Sequence, residues 1–143
     1  MTDLYSKYVG CGFKVTTDSR AIKGGEMFFA LRGDNFDGND YALKALELGA
    51  AWAVVNEDAV LSDDERLIKV SDPFTSLKYL AMEHRSNLKF PVVGLTGTNG
   101  KTTTKNLISV VLAKKFKVSA TEGNLNNDIG VPLSILKIVP DET

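Results

Sequence analysis

Between an apolar run and an amphipathic one, the chain carries Gly94-Leu95-Thr96-Gly97-Thr98-Asn99-Gly100-Lys101-Thr102-Thr103-Thr104. Residues 91–96 read as a short buried strand and residues 97–100 as a tight loop. Residues 101–114 read as a helix with Leu107, Val110 and Val111 on one face. Strand, glycine loop, Lys-Thr and helix, in that order, form the context of a phosphate-binding loop. Glycines let successive backbone N–H groups turn inward around phosphate oxygens, and the helix N-terminus adds partial positive charge. The candidate nucleotide site is therefore Gly97, Thr98, Asn99, Gly100, Lys101, Thr102 and Thr103. Lys101, the candidate catalytic residue, can reach β- and γ-phosphates, the Thr102 hydroxyl can bind Mg²⁺, and Thr103 can donate to a phosphate. Residues 101–121 hold five lysines and no acids, which favours a bound anion. The spacing departs from GxxxxGK[ST], which puts glycine where Leu95 stands. A turn followed by a helix cap is the plainer reading of the same loop.

Upstream, strand-like and helix-like runs alternate, which argues an α/β fold. Residues 13–17 and 27–31 read as strands with a Gly24-Gly25 turn between them. Residues 39–48 read as a helix with Ala42, Ala45 and Leu46 on the inner face and Asp40, Lys44 and Glu47 on the outer, stopped by Gly49. Residues 50–55 and 67–70 are further strands, separated by an acidic stretch that reads as a solvated loop rather than a metal site. Ser71-Asp72-Pro73 opens a helix, a side-chain cap followed by proline in the first turn. Phe74, Leu77, Ala81, His84 and Leu88 follow at helical steps, which makes His84 a partly buried structural residue. Residues 87–91 mark a domain boundary, and residues 116–120 and 131–138 read as a strand and a short helix with Pro132 in its first turn.

The composition closes off several function classes. A net charge of −1 over 143 residues offers no basic excess for nucleic acid or an anionic membrane. No apolar stretch approaches the ~20 residues that span a bilayer, and the first residues lack a signal-peptide pattern. Cys11 is the one cysteine, so an internal disulfide and a cysteine-built zinc site are excluded, and a reducing cytosol fits. His84 is the one histidine, which excludes machinery needing two.

Thr96-Gly97-Thr98-Asn99-Gly100-Lys101-Thr102-Thr103 resembles the ATP loop of the Mur ligases, which build the peptide stem of bacterial cell-wall precursors and share this shortened glycine spacing. Thr17-Asp18-Ser19-Arg20, then Gly25 to Gly33, then Asp37-Gly38, resemble the UDP-binding domain of that family, as does Gly49 to Val55. The segment Glu122 to Leu133, with Asn124, Asn126 and Asn127, resembles the branch that adds D-alanyl-D-alanine. Three motifs lie in the family's order between Val15 and Leu136. One departure is Asn39, where family members often carry histidine.

The resemblance implies an N-terminal α/β UDP-sugar-nucleotide-binding domain over residues 1–88. Residues 89–143 would then begin a P-loop parallel-sheet ATPase domain. Ser19 and Arg20 would meet the uridine or its phosphates, and Gly33, Asp34, Asn35 and Phe36 would wall the uracil and diphosphate. Asn124, Asn126 and Asn127 would reach the diphosphate or sugar. The residues leave alternatives open: Asp18-Ser19-Arg20 can be a turn with an internal ion pair, Phe36 can be core, and the asparagines can be caps. The implied reaction is ATP- and Mg²⁺-dependent amide formation between UDP-MurNAc-tripeptide and D-Ala-D-Ala through an acyl phosphate. It would serve peptidoglycan synthesis, cell shape and division from the cytoplasm. The expected metal carboxylate beyond the Asn-rich segment is absent, and Asp141 and Glu142 are poor substitutes. The expectation is a piece of a larger enzyme, inactive without its remaining central and C-terminal domains. The rivals are a branch adding a diamino acid to UDP-MurNAc-dipeptide, a folate-polyglutamate ligase, and a non-catalytic nucleotide-binding module.

Overall fold

The computed structural model describes residues 1–122, 125 and 127–140. Its centre is a four-stranded parallel sheet of β1 (Val15–Thr16), β2 (Met27–Phe29), β5 (Trp52–Asn56) and β6 (Leu67–Val70), in the order β1-β2-β5-β6. Phe28 of β2 pairs in register with Ala53 of β5, and Val54 with Ile68 of β6. Between β2 and β5 the chain makes a small hairpin, β3 (Arg32–Gly33) and β4 (Phe36–Asp37). A 3₁₀ turn (Gly38–Tyr41) and helix α2 (Ala42–Glu47) follow.

Side chains on a strand alternate between faces, and both faces of this sheet are covered. Met27, Phe29 and Val54 point into one core, with Tyr5 and Tyr8 of α1 (Asp3–Gly10) and Leu77 and Leu80 of α3 (Pro73–Asn87). Phe28, Ala53 and Val55 point into the other, under Ala42, Ala45 and Leu46 of α2. The α/β reading holds, and so does the assignment of α2's inner and outer faces. Asp72 caps α3 by accepting from Phe74 N at 3.4 Å and Thr75 N at 2.9 Å, with Pro73 in the first turn. The sequence reading missed α1. Its signals are Thr2, whose side chain accepts from Tyr5 N at 3.2 Å, and the three-residue step from Tyr5 to Tyr8 that puts both rings on one face.

Two expected strands are corrected. Residues 91–96 and 116–120 form no ladder among the described residues. Val93 and Phe116 stand open to solvent, as do Leu107, Val110 and Val111 of α4 (Lys101–Leu112). A parallel strand is stable when neighbours flank it and both its faces are covered, and among the described residues neither segment has a strand beside it. Helix α5 (Gly130–Leu136) instead packs against α3, and Leu136 enters the core with Tyr8 and Leu77.

His84 is fully buried among the rings of Tyr5, Tyr8 and Phe13, as its place on the apolar stripe of α3 suggested. Its Nε2 lies 2.7 Å from the Ile138 carbonyl, which can only accept, so Nε2 carries the proton and Nδ1 accepts from Tyr5 Oη at 3.1 Å. Burial pushes the His84 pKa below 6.5, and the Ile138 carbonyl opposes this in part. The unfolded chain therefore takes up a proton near pH 6.5 that the folded chain refuses. The stability from neutral His84 is complete above 6.5 and declines as pH falls through the folded value. Thermal unfolding between about pH 7 and pH 5 should show a loss of melting temperature that His84→Gln lacks. A parallel pH dependence in that variant would contradict it.

Candidate functional site

The phosphate-loop candidate folds as an open turn leading into α4. Gly97 has φ 149° and Gly100, the residue before the helix, has φ 76°. Residues with a Cβ disfavour the left-handed conformation at Gly100, which is why glycine stands there. Gly100 has no side chain to accept from the first-turn N–H groups of Lys101, Thr102 and Thr103. Thr98, Asn99, Thr102 and Thr103 are exposed, and the Lys101 ammonium turns back onto the Gly97 carbonyl. Loop, helix start and lysine are thus brought to one place, with the ammonium held on the loop's own carbonyl. Farther along α4, Lys105 Nζ donates to the Thr121 carbonyl at 2.7 Å, tying this helix to the chain that leads into the asparagine segment.

Asp34 and Asn35 form the exposed two-residue tip of the β3–β4 hairpin. The Phe36 ring is 59% exposed and lies over Gly33, where a Cβ would sit 2.3 Å from Cε1. Glycine at 33 therefore makes room for the hairpin's own ring. Phe36 is not core, which removes one reading of that residue. At the hairpin base Arg32 bonds Asp37 at 3.0 Å and Asp58 at 3.1 Å. Burial alone would raise the Asp37 pKa. Bonds from the Asn39 backbone and side chain, and from Arg32, outweigh that and hold the carboxyl below its ordinary value.

Asn39 is the residue the sequence reading weighed least. It is buried and donates through Nδ2 to Asp37 Oδ1 at 2.6 Å and to Asn56 Oδ1 at 2.9 Å, while its own Oδ1 accepts from Asn56 N at 3.0 Å. This network seats the hairpin on the end of β5. Asp37 is a local partner, but no local signal marks the bond to Asn56, 17 residues away.

Ser19 and Arg20 lie on a separate 3₁₀ turn (Ser19–Ala21) that packs against α2. Asp18 caps it, accepting from Arg20 N at 2.9 Å, and the Arg20 guanidinium takes both Asp18 oxygens at 2.9 Å. The internal ion pair weighed as an alternative is thus present. Arg20 holds the Asp18 carboxyl below its ordinary pKa. In the acidic loop, Arg66 holds Asp64 at about 2 and Arg32 takes Asp58, so both carboxylates go to guanidinium groups.

Asn127 Oδ1 accepts from Gly130 N at 2.7 Å, capping the first turn of α5; Asn124 and Asn126 lie outside the described residues. A cavity of about 250 Å³ joins the hairpin base to this segment, lined by Leu31, Arg32, Asp72, Phe74 and Ile129. A second, of about 340 Å³, has Ser119, Glu122, Leu125 and Lys137 on its walls.

A parallel sheet covered by helices on both faces, with a glycine loop leading into a further helix, defines an α/β protein. Comparison with known proteins narrows this. The model of the Mur ligase family catalytic domain matches residues 14–87, and that of the Mur ligase middle domain matches residues 95–143. The chain belongs to the Mur ligase family.

Among its relatives, the UDP-N-acetylmuramoyl-tripeptide–D-alanyl-D-alanine ligase of Synechocystis is 40% identical over 129 residues, covering 89% of this chain and 28% of the relative. The Bacillus subtilis ligase of the same name is 40% identical over 131 residues, covering 90% and 28%. A 2,6-diaminopimelate-adding ligase of Geobacter metallireducens is 36% identical over 115 residues, covering 79% and 22%. The crystal structure of MurF ligase from Thermotoga maritima in complex with ADP superposes with a TM-score of 0.79 at 34% identity, covering 95% of this chain and 30% of that one. The chain thus spans under a third of the length of these relatives.

Proposed function

We propose that this chain is the UDP-sugar-nucleotide-binding domain and the opening of the ATP-binding domain of a cytoplasmic UDP-N-acetylmuramoyl-tripeptide–D-alanyl-D-alanine ligase. Residues 1–88 form the first part and residues 89–143 begin the second, with α5 reaching back onto the first. The observation that carries the reading is the Gly97–Thr103 turn, with Gly100 uncapped at the start of α4 and Lys101 next to it, in a chain 40% identical to two ligases of that name.

The chemistry follows from what such a site can stabilise. A carboxylate is a poor electrophile at neutral pH. The terminal carboxylate of UDP-MurNAc-tripeptide attacks the γ-phosphorus of ATP, ADP leaves, and an acyl phosphate forms. The amine of D-Ala-D-Ala attacks the acyl carbon, inorganic phosphate leaves, and the nitrogen loses its proton to solvent or base. Lys101 and the α4 N-terminus neutralise charge that grows on the transferring phosphoryl group, which is where fixed donors contribute most. Mg²⁺, when bound, would offset charge between the β- and γ-phosphates. The exposed Thr102 hydroxyl fits it as one oxygen donor, and no cluster of three acidic, histidine or cysteine side chains exists among the described residues to cage it. Asp34, Asn35, Phe36 and Gly33 would face the uracil and diphosphate, with Ser19 and Arg20 and the amides of Asn124, Asn126 and Asn127 as further contacts.

The test is substrate choice in the full-length protein. Phosphate release from ATP should require UDP-MurNAc-tripeptide and D-Ala-D-Ala together. Release with UDP-MurNAc-dipeptide and a diamino acid instead would move the assignment to the branch of the Geobacter relative. Ser19→Ala should raise the KM for the sugar nucleotide several-fold with kcat little changed; a fall in kcat alone would show that Ser19 makes no ground-state contact.

A further inference from the structure

Helix α5 is capped locally at its start and held at its C-terminal end by two distant side chains. At its C-terminal end the last carbonyls lack intrahelical partners, as at any helix end. Here Tyr8 Oη donates to Leu136 O at 2.6 Å and His84 Nε2 donates to Ile138 O at 2.7 Å. Both donors are fully buried, and their rings pack on each other with centroids 5.2 Å apart. Phe13 flanks both rings, so neither donor is free to turn away. At the other end, Asn127 caps the first turn of α5, and six residues before Asn127 the Thr121 carbonyl is bonded to Lys105 of α4. One stretch of chain therefore runs from the phosphate-loop helix to two buried donors of the sheet domain.

We propose that Tyr8 and His84 are positioning residues for the ligation reaction. By clasping the Leu136 carbonyl at the end of α5 and the Ile138 carbonyl two residues beyond it, they set the placement of the turn at Asn127 relative to the β3–β4 hairpin. This rests on the reading in which hairpin and turn contact the same sugar nucleotide. The clasp touches no substrate and acts through α5.

The experiment uses the full-length enzyme and three variants: Tyr8→Phe, which keeps the ring and removes the donor; His84→Leu; and His84→Gln, whose amide can still donate to Ile138 O. Steady-state kinetics give the KM for UDP-MurNAc-tripeptide and for ATP, and amide hydrogen exchange is followed over residues 131–138. Tyr8→Phe and His84→Leu should quicken exchange in α5 and raise the sugar-nucleotide KM by about 2- to 30-fold, with the ATP KM unchanged. His84→Gln should restore both readouts toward wild type. If His84→Leu fails to fold, Tyr8→Phe decides alone. Faster exchange with both KM values at wild type would make the clasp purely structural and overturn the proposal, as would unchanged exchange. A wild-type enzyme that does not turn over UDP-MurNAc-tripeptide would overturn the functional reading and this inference with it, an outcome distinct from unchanged KM in an active enzyme.

Discussion

Lys101→Ala in the full-length protein should lower ligation by about 10³-fold or more while leaving the affinity for UDP-MurNAc-tripeptide unchanged. The size follows from the Gly97–Thr103 turn. Gly100 offers no side-chain cap, so the charge that the turn itself would bring to a phosphoryl group is the helix N-terminus plus one ammonium. Removing the ammonium leaves the partial charge of the backbone facing a polyanion. The specificity of the effect follows from geometry. Of the residues assigned to the sugar nucleotide, those on the β3–β4 hairpin and the Ser19–Ala21 turn fold with the parallel sheet, and Asn127 stands at the start of α5, which packs on α3. Calorimetric titration of the variant with the sugar nucleotide, beside a phosphate-release assay, separates the two effects. Turnover near wild type would remove Lys101 from the phosphate site, and lost sugar-nucleotide binding would show that the variant disturbs the fold.

The second large effect concerns the sheet. Phe29 is fully buried in β2 between α1 and α3, in one core with Met27, Val54 and Leu77. Phe29→Ala removes a ring from a close-packed interior that relaxes only in part, and should cost about 3–5 kcal/mol. That is a large share of the ~5–15 kcal/mol that holds a domain folded. Urea denaturation should show a much lower midpoint with the slope little altered. Val60 is fully exposed, so Val60→Ala serves as the control that should not move the midpoint. A loss under about 1 kcal/mol for Phe29→Ala would mean that the ring is not in a packed core.

Much of this was legible in the sequence because the determinants are local. Apolar runs along residues 27–31 and 50–55 marked two strands of the sheet. Asp72-Pro73 marked the start of α3, and the position of His84 on the α3 stripe predicted its burial. Glycine loop, Lys-Thr and helix start lie within eleven residues, so the turn leading into α4 could be read directly. Apart from α1, whose Thr2 cap is local, what escaped depends on partners far apart in the chain. Arg32 joins Asp58 across 26 residues, Asn39 joins Asn56 across 17, and Tyr8 reaches Leu136 across 128. The strands expected at 91–96 and 116–120 failed for a related reason. An apolar run states a preference for burial, but the neighbours that would supply a ladder and cover both faces are not specified within the run.

The central claim is that the backbone turn from Gly97 to Thr103 cradles the triphosphate. A crystal structure of the full-length protein with Mg²⁺ and a non-hydrolysable ATP analogue tests it most directly. The account predicts β- and γ-phosphate oxygens within hydrogen-bond distance of N–H groups in that turn, and the Lys101 ammonium moved from the Gly97 carbonyl onto them. An analogue bound elsewhere, with Lys101 still folded back on Gly97, would contradict it.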